Sequence, residues 1–442
     1  MTLVSGWGRF PVVDTEMLRP RSFGAVGEAV AVTGTIARGN GRAYGDAAIG
    51  AARTIAMTAL DRVRSFDPAT GRIRLEAGVL LSDLIDTFGP RGFFPFVVPG
   101  TRFVSVGGAI AADVHGKNHH GEGGFGRYVD SILLRTGAGE TIEASREQNS
   151  DAFFATVGGM GLTGVILEAT MRLRPVVSGW IRERVISASD LDAAMRALEA
   201  SDPATYSVAW IDCVARGRNL GRSLIYLGEH AGRDELAEGA DMFPVGKAPG
   251  LGVPLDLPSI TLNRYSIGTF NELYYRMGAR RTGIDHVVSL YPYFFPLDSL
   301  SDWNRIYGRR GFLQHQCVIP EAGAREVLGD ILDRVARRGD ASFLAVLKKL
   351  GHGDGLLSFP LPGYTLALDF PVRGDILNFL DEIDRLVVAG GGRLYLAKDA
   401  RQSRATFEAG YPALARFKAI RKSLDPAQNI RSKLSQRLFD EG

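Results

Sequence analysis

Apolar and polar residues alternate in short runs through the first 175 residues, and glycine or proline turns separate these runs. Alternation with a period of two is typical of half-buried strands, and it predicts strands at Thr54 to Met57, Arg72 to Glu76 and Ser131 to Arg135. The sequence DPATG at residues 67 to 71 separates two such runs and predicts a hairpin turn. Residues 25 to 175 are therefore expected to fold as an α+β region.

Beyond Pro175 the spacing of apolar residues becomes helical and extends over longer segments. The sequence SDLDAAMRALEA at Ser189 to Ala200 predicts an amphipathic helix that is capped by Ser189. We place a domain boundary near residue 175 for this reason.

A weak internal duplication of a strand, a helix and a second strand follows. The predicted elements are Gln314 to Ile319, Glu321 to Arg338 and Ser342 to Leu347 in one copy, and Thr365 to Phe370, Asp375 to Ala389 and Arg393 to Ala397 in the other. Repeated units of this kind build a sheet with helices on one face, which leaves the other face free to cover a ligand. Two closing helices, at Arg404 to Leu424 and Ala427 to Leu438, are expected to return to the first domain. The predicted domains are residues 1–175, 176–392 and 393–442.

Composition narrows the class of protein. The chain has 442 residues, 45% of them hydrophobic, and 52 basic residues against 49 acidic ones, so the net charge is only +3. This near balance gives no electrostatic footprint for nucleic acid. The two cysteines, Cys213 and Cys317, lie in no CxxC or zinc-ligand spacing, which predicts neither disulfides nor a zinc site.

The N-terminal sequence and the hydropathy pattern bear on location. Residues 1–11 have no charged segment followed by an apolar one, so no secretory signal peptide is predicted. No apolar run approaches the roughly 18 residues that a spanning helix needs. We expect a cytoplasmic or peripherally membrane-associated protein.

Two glycine-rich runs carry the candidate chemistry, RGNGRAYGD at residues 38–46 and VPGTRFVSVGGAIAADVHGKNHHGEGGFG at residues 98–126. Glycines at 100, 107 and 108 permit positive φ and let backbone N–H groups approach an anion closely, as a pyrophosphate site requires. Neither GxGxxG opening a helix nor GxxxxGK[ST] is present, which disfavours a Rossmann or P-loop site. Two such runs together predict one long ligand.

A histidine cluster lies within the second run. His115, Lys117, Asn118, His119 and His120 include imidazoles that are able to bind a metal. No carboxylate stands at ligand spacing from them, so we expect no metal site.

Four segments in order, RGNGRAYGD, DPATGRIRLEAGVLLSDL, VPGTRFVSVGGAIAADVHGKNHH and GGMGLTGVI, resemble the FAD-binding half of vanillyl-alcohol-oxidase (PCMH) type flavoproteins. Within that group HGKNHH, WNRIYG, FLQHQCVIP and GGRLYLAKDAR resemble the decaprenylphosphoryl-β-D-ribose 2-oxidase family. The resemblance covers nearly the whole chain. It implies a two-domain α+β flavoprotein whose substrate domain is built on an antiparallel sheet.

The resemblance also implies a set of cofactor-binding residues. They are Arg38, Gly39, Asn40, Gly41, Arg42, Ala43, Tyr44, Gly45, Asp46, Gly100, Ser105, Val106, Gly107, Gly108, Ala112, His115, Ile166 and Tyr395. Many flavoproteins of this type carry a histidine that bonds covalently to the flavin, whereas this family and this chain have a tyrosine, Tyr44. The FAD is therefore expected to be non-covalent. Ala43 departs from the serine that is usual beside it.

The implied catalytic residues are Lys398, Gln316, Tyr44 and Lys117. Lys398 is expected to contact both flavin and sugar, either as a cation that stabilises charge or as a base that accepts the alcohol proton. We favour the electrostatic role, with proton removal through Tyr44 or water. Gln316 matches a glutamine that binds the ribose, and the ammonium of Lys117 suits a phosphate diester.

Aromatic residues that the family places around the sugar and the lipid are Trp210, Tyr291, Tyr293, Phe294 and Phe295. The pair Phe294 and Phe295 replaces a Tyr-His pair of actinobacterial members, and Ala367 stands where those members carry a cysteine.

The implied reaction is FAD-dependent oxidation of the C2 hydroxyl of a polyprenyl-phosphoryl-β-D-ribofuranose to the 2-keto sugar. This is the first half of epimerisation to the arabinose donor for cell-wall polysaccharide. A separate NADH-dependent keto-reductase and a peripheral membrane contact are the implied partners. Two alternatives stay open: an aldonolactone or alditol oxidase acting on a small soluble polyol, and a non-catalytic nucleotide- or carbohydrate-binding protein.

Overall fold

The fold is known from a computed structural model, which describes residues 1–246, 251–258, 261–339 and 344–439. The strands are β1 Thr2–Ser5, β2 Val12–Leu18, β3 Thr35–Arg38, β4 Arg53–Ala56, β5 Val63–Asp67, β6 Arg72–Glu76, β7 Phe93–Pro95, β8 Val129–Thr136, β9 Thr141–Ser145, β10 Gly164–Pro175, β11 Trp180–Ala188, β12 Tyr206–Ile211, β13 Ser223–His230, β14 Leu251–Gly252, β15 Asp285–Ser289, β16 Leu300–Ser301, β17 Phe312–Pro320, β18 Ala345–Leu350, β19 Gly363–Pro371 and β20 Arg393–Leu394.

Helices lie between these strands and close the chain. They are α1 Phe23–Val30, α2 Leu81–Phe88, α3 Val106–Ala111, α4 His119–Glu122, α5 Ser150–Thr156, α6 Leu191–Ala200, α7 Arg264–Ala279, α8 Leu290–Phe294, α9 Ala324–Arg338, α10 Ile376–Ala389, α11 Arg404–Gly410, α12 Leu414–Leu424 and α13 Lys433–Leu438. Within the described ranges, none of them is both long and apolar enough to cross a membrane.

Two sheets form the first part of the molecule. One has the order β1-β2-β4-β3, in which β4 pairs in parallel with β2 and β3. The other has the order β5-β6-β10-β8-β9, all antiparallel, and β7 also pairs with β10. The predicted hairpin at residues 67–71 joins β5 to β6, and the three strands predicted in this region are present.

An eight-stranded antiparallel sheet in the order β15-β11-β13-β12-β18-β19-β17-β20 forms the second part. Its two faces differ, because side chains alternate along each strand. One face packs against α6, α9 and α10 through residues such as Ile211, Leu347 and Leu366. The other face forms a wall of the central cavity. The expected α+β fold with an antiparallel substrate sheet is thus confirmed.

Several predicted boundaries differ from the structure. Helix α6 is capped by Asp190, whose side chain accepts from the N–H of Ala193, while Ser189 donates to Asp190 instead. The first closing helix is two helices, because the chain breaks after Gly410 at a Tyr-Pro sequence and a proline cannot continue a helix.

The duplicated strands also need correction. Residues 342 and 343 of one predicted strand lie outside the described residues, and β18 runs on to Leu350, past the predicted end at Leu347. The last strand of the duplication ends at Leu394 rather than Ala397, so Lys398 lies in a turn and not at a strand end.

We propose the division into domains on the sheet boundaries, since β10 ends one sheet at Pro175 and β11 begins the next. The third proposed segment starts with β20, which pairs with β17 of the eight-stranded sheet. Its later residues contact the first part of the chain, where Ile430 bridges to Thr35 and Ser432 to Gly50. Residues 440–442 of this segment lie outside the described residues.

Candidate active site

The two glycine-rich loops meet in the folded chain. The side-chain amide of Asn40 donates to the carbonyl of Phe103 over 2.8 Å. A Cβ on Gly39 would lie 2.0 Å from Oγ of Ser105, the residue that caps α3 by accepting from the N–H of Gly108. The close contact of the loops therefore requires glycine at position 39.

A cavity of about 860 Å³ lies between these loops and the eight-stranded sheet. Its volume falls within the range of roughly 300–1,000 Å³ that ligand sites occupy. Most of the residues predicted from the sequence line it, namely Gly39, Asn40, Gly41, Arg42, Ala43, Tyr44, Gly100, Ser105, Gly107, Gly108, Ala112, His115, Lys117, Ile166, Gln316, Tyr395 and Lys398.

Four predicted residues, Arg38, Gly45, Asp46 and Val106, are absent from the cavity lining. Arg38 donates to the carbonyl of Ser5 over 2.8 Å, and Val106 is fully buried with its N–H on the carbonyl of Val79. These residues support the loops instead of facing the cavity. A sequence motif does not distinguish residues that face the cavity from residues that support the loops, because both lie in the same short runs.

Gly45 and Asp46 connect the first loop to the C-terminal part of the chain. A Cβ on Gly45 would lie 1.8 Å from the carbonyl oxygen of Asp399. The guanidinium of Arg437 on α13 bonds Asp46 at 3.0 Å and Asp399 at 2.9 Å. The loop that carries Tyr44 and the turn that carries Lys398 are thus held by one arginine.

The positive φ predicted for three of the glycines is wrong. Gly100, Gly107 and Gly108 all have negative φ, whereas Gly41 in the first loop has φ +67°. A Cβ on Gly107 would lie 2.9 Å from Cβ of Ala77, so this glycine permits close packing within the protein. Open space surrounds Gly100.

His115 and Gln316 approach each other on opposite walls of the cavity. The amide nitrogen of Gln316 lies 3.0 Å from Nε2 of His115, and it also donates to Oγ1 of Thr365 over 3.2 Å. An amide nitrogen only donates, so Nε2 accepts and the ring proton is on Nδ1. Burial and the nearby Lys348 hold the pKa of His115 well below its usual value, which keeps the ring neutral.

Lys398 lies over the ring of Tyr44, with its nitrogen 3.5 Å from the ring centroid. The backbone places the two together, because the N–H of Tyr44 donates to the carbonyl of Ala397 over 2.9 Å. Burial lowers the pKa of Lys398 to about 7, while the charge of Asp369 opposes this shift.

Asp369 is fully buried beside this pair and accepts from Gln314 over 2.6 Å and from the hydroxyl of Tyr307 over 3.2 Å. Its own pKa is raised, chiefly by burial. Burial also raises the pKa of Tyr44 well above its usual value, and Asp369 adds to the shift. Tyr44 therefore keeps its proton at neutral pH, and its part in proton removal stays a prediction.

Lys348 on β18 is a cavity residue that sequence reasoning missed. Its side chain makes no hydrogen bond or ion pair with the described residues, and burial lowers its pKa to about 8. The signal was present, since Val346 and Lys348 share one face of a strand whose other face, Ala345 and Leu347, is core. The strand was predicted to end one residue too early for Lys348 to be seen.

Lys117 completes a set of cavity lysines. Its nitrogen donates to the carbonyl of Tyr293 and lies 4.1 Å from the centroid of that ring. Burial lowers its pKa to about 7, Lys348 lowers it further, and Glu183 opposes the shift. Three lysines, Lys117, Lys348 and Lys398, thus face one cavity.

Aromatic side chains form the wall beyond Lys348. Trp210, Tyr293 and Phe294, all three predicted, line the cavity with Tyr226, Phe270 and Tyr274. Two other predicted aromatics are absent from the lining. Tyr291 donates to Asp86 over 2.8 Å, and Phe295 is buried.

The neighbouring histidines each bind a different partner. His119 Nδ1 accepts from the N–H of Gly351 over 3.0 Å, and His120 Nε2 lies 2.9 Å from the carbonyl of Ala204. In the part of the chain that the structure describes, no three His, Cys, Asp or Glu side chains group together as metal ligands.

Comparison with known proteins identifies the family. The FAD binding domain family matches residues 19–145. The chain is 39% identical to the decaprenylphosphoryl-beta-D-ribose oxidase of Mycolicibacterium smegmatis, over 98% of this chain and 96% of that protein. The chain belongs to this oxidase family. It is also 35% identical, over 81% of its length, to the whole of an uncharacterized protein of Streptomyces coelicolor.

Lactone-oxidising flavoproteins are more distant. A mitochondrial L-galactono-1,4-lactone dehydrogenase of rice is 29% identical over 38% of this chain and 30% of its own length. The family assignment confirms an FAD-dependent oxidoreductase and disfavours the non-catalytic alternative.

The cavity fits FAD on its own geometry. The amide of Asn40 joins the two loops, a Cβ on Gly39 would clash with Ser105, and buried Nε of Arg42 and Nδ1 of His115 have no hydrogen-bond partner among the described residues. Unpaired buried donors of this kind are costly unless a ligand or water satisfies them. The site residues that the family resemblance implies and that line the cavity thus surround a single space of ligand size.

Proposed function

We propose that this chain oxidises the C2 hydroxyl of a polyprenyl-phosphoryl-β-D-ribofuranose to the 2-keto sugar. The observation that carries the proposal is one cavity in which the FAD loops face Lys348, Gln316 and Lys398, with an aromatic wall beside them. The name of the Mycolicibacterium smegmatis relative supports the choice of a lipid-linked ribose.

Residues 39–44 and 105–108 would hold the diphosphate and the ring of FAD, with His115 and Tyr395 behind them. When bound, FAD supplies the two-electron acceptor that oxidation of an alcohol carbon requires. The protein's own tasks are to orient the sugar and to take the hydroxyl proton.

Lys117 and Lys348 are the groups for the substrate phosphate. Both are buried cations, and Lys348 lacks a carboxylate partner within the described residues. A phosphate bound between them would stabilise their charged forms and raise the pKa of both. Thr365 and Gln316 present a hydroxyl and an amide for the ribose, beside the small side chain of Ala367.

Lys398 is the group that we assign to proton removal. A lysine with a pKa of about 7 is half neutral at neutral pH, and a neutral amine accepts a hydroxyl proton. Asp369 raises the pKa of this lysine against the larger effect of burial, and it does so without lining the cavity. This role differs from the electrostatic role that we favoured from the sequence, because the sequence does not show that Lys398 is buried.

The 2-keto product then requires a reduction, which we assign to a separate NADH-dependent keto-reductase. The two steps together would epimerise the ribose to the arabinose donor for cell-wall polysaccharide. Molecular oxygen or a quinone would accept the electrons from the flavin after the first step.

Anaerobic titration of the FAD-loaded protein tests the proposal. A short-chain prenyl-phosphoryl ribose is expected to bleach the flavin absorbance, whereas free ribose and L-gulono-1,4-lactone are not. Bleaching by the lactone alone would favour the aldonolactone oxidase alternative. No bleaching by any of the three would contradict the proposed substrate class.

We further propose that the FAD is dissociable. Tyr44 occupies the loop position at which flavoproteins with covalently bound flavin carry the histidine that forms the bond. Acid precipitation of the yellow protein is expected to release all flavin to the supernatant. Flavin retained in the pellet would show a covalent bond and would overturn this part of the proposal.

A further inference from the structure

Glu183 is a cavity residue that the proposed function does not use. It lies on β11 in register with Gly228 of β13, and Gly228 is in register with Tyr206 of β12. Side chains alternate along a strand, so Glu183 shares a face of the sheet with Tyr226 and Trp210, which also line the cavity. Glu183 is buried, with only 8% of its surface exposed. Acidic residues are seldom buried unless their charge is paired, so the partners of Glu183 bear on its task.

The counter-charge of Glu183 comes from outside the cavity. Arg281, two residues beyond the end of α7, donates to Oε1 of Glu183 over 3.0 Å. The side chain of Arg281 is 44% exposed, and neither Arg281 nor His286, the cross-strand neighbour of Glu183 on β15, lines the cavity. The other acidic residues of the described lining, Asp298 and Asp302, do not lie on the eight-stranded sheet. A ligand against the sheet wall would therefore meet the carboxylate before it meets the guanidinium.

Tyr293 connects Glu183 with one of the cavity lysines. The hydroxyl of Tyr293 lies against Gly228, since a Cβ built on that glycine would be 2.4 Å from the hydroxyl oxygen. The nitrogen of Lys117 lies 4.1 Å from the centroid of the same ring. After burial, Glu183 is the largest cause that raises the pKa of Tyr293, and its charge opposes the burial that lowers the pKa of Lys117. Glu183 is thus within electrostatic reach of Lys117.

The carboxylate changes the charge balance of the phosphate site. Lys117 and Lys348 are the cations assigned to the substrate phosphate, and Glu183 offsets part of the positive charge of Lys117. A phosphodiester carries one negative charge, whereas a phosphomonoester, with a second pKa of about 6, carries close to two near neutral pH. Like charges repel strongly in a site that is shielded from water. The second charge of a monoester would therefore meet repulsion from Glu183, while the single charge of a diester is balanced by the lysines.

We propose that Glu183 is a specificity-determining residue, which admits a sugar phosphate in diester linkage and excludes phosphomonoesters of soluble sugars. The inference rests on the proposed function for the position of the phosphate, between Lys117 and Lys348. Selection of this kind works by an unfavourable interaction with the wrong ligand, and it needs no additional contact with the right one. Glu183 would thereby keep soluble sugar phosphates out of a cavity whose lysines would otherwise attract them.

Calorimetric titration of the FAD-loaded protein with two matched probes tests this inference. The probes are β-D-ribofuranosyl methyl phosphate, a diester, and β-D-ribofuranose 1-phosphate, the corresponding monoester, both at about pH 7.5, where the monoester carries close to two charges. The wild type is expected to bind the diester at least about tenfold more tightly than the monoester. In Glu183→Gln the monoester is expected to bind about tenfold more tightly than in the wild type, and the diester within about threefold. An unchanged ratio of the two dissociation constants would overturn the inference.

Two further variants separate selection by charge from a structural role of the Glu183–Arg281 pair. Arg281→Gln keeps the carboxylate and removes its partner, so the preference for the diester is expected to increase, opposite in sign to the effect of Glu183→Gln. A purely structural pair would shift the preference in the same direction in both variants, and that result would overturn the inference. Asp285→Asn is the matched control, because Asp285 pairs with Arg184 at 2.6 Å on the same sheet and is absent from the cavity lining. Its preference is expected to equal that of the wild type.

Anaerobic flavin bleaching by the diester distinguishes failure of this inference from failure of the proposed function. Bleaching together with a preference that does not depend on Glu183 would leave the proposed function standing and remove Glu183 from specificity. A preference that depends on Glu183, without any bleaching, would leave the charge selection standing and count against the proposed oxidation. Binding of neither probe would overturn the inference, because no phosphate would then be selected. Flavin content and thermal unfolding of each variant establish that it is folded.

Discussion

The two walls of the cavity are built by different means. The wall from residues 39–44 and 105–108 is mostly backbone and small side chains, and its fit depends on how closely main-chain segments approach. The wall from the eight-stranded sheet presents long polar side chains, Lys348 and Gln316 among them, from alternate positions of its strands. In the first wall an added Cβ at Gly39 or Gly107 would lie within 3.0 Å of a neighbouring atom, while a substitution on the second wall changes the polar groups that face the cavity. Under the proposed function, the first wall would hold the cofactor, and most of the groups for the substrate would come from the second.

The largest expected effect comes from adding volume at Gly45, which follows directly after the loop wall and lies outside the cavity lining. Gly45→Ala would place a methyl group 1.8 Å from the carbonyl oxygen of Asp399, a backbone atom that cannot rotate away. We expect loss of bound FAD together with destabilisation of roughly 1–3 kcal/mol or more. Flavin absorbance per protein and thermal unfolding measure both.

Gly268→Ala is the control for this substitution, since a Cβ there meets nothing within 4 Å and the residue lies inside α7. It is expected to keep its flavin and to gain up to about 1 kcal/mol in stability. A yellow, stable Gly45→Ala protein would refute the account of the loop wall.

The next effect concerns chemistry at the junction of the walls. Lys398→Met is expected to keep FAD bound but to slow flavin reduction by substrate about 10²- to 10⁴-fold, the usual contribution of a general base. Stopped-flow absorbance under anaerobic conditions measures this rate directly. An unchanged rate would remove Lys398 from proton transfer.

A smaller effect is expected on the sheet wall. Lys348→Met should raise the KM for a phosphorylated substrate by about 10- to 100-fold, the size of a lost charged hydrogen bond, with little change in the rate at saturation. Lys349→Met is the matched control, because Lys349 is the next residue and pairs with Asp202 at 2.6 Å outside the cavity. Equal effects of the two substitutions would contradict a phosphate site at Lys348.

The smallest effect is a displacement of the pH profile. The negative charge of Asp369 raises the pKa of Lys398, so Asp369→Asn is expected to lower it. Activity that needs the neutral amine falls on the acid side of this pKa, and in the variant that fall moves to lower pH by about one unit. The pH dependence of flavin reduction measures the shift. A shift to higher pH would have the wrong sign for this arrangement.

The sequence predicted the loop wall well because its signal is local. Glycines within nine residues of one another mark tight backbone packing, and most of the cavity residues proposed there do line the cavity. The sequence could not distinguish the cavity residues from four supporting residues, Arg38, Gly45, Asp46 and Val106. These four contact residues that are distant in the sequence. Contacts such as that of Asp46 with Arg437 join residues 391 positions apart and leave no local pattern.

The sheet wall was predicted in part only. Gln316 was found because its strand, FLQHQCVIP, resembles the oxidase family, but Lys348 was missed because its strand was predicted to end at Leu347. The burial that lowers the pKa values of Lys348 and Lys398 arises from packing between the two walls. No stretch of sequence contains that information.

The arginine on α13 that holds Asp46 and Asp399 imposes an order on biosynthesis. A nascent chain emerging from the ribosome can form the first loop and the sheets early, yet the clamp between Tyr44 and Lys398 closes only after Arg437 has been translated. Until that moment the backbone bond from Tyr44 to Ala397 has to hold the two segments without the ion pairs of Arg437.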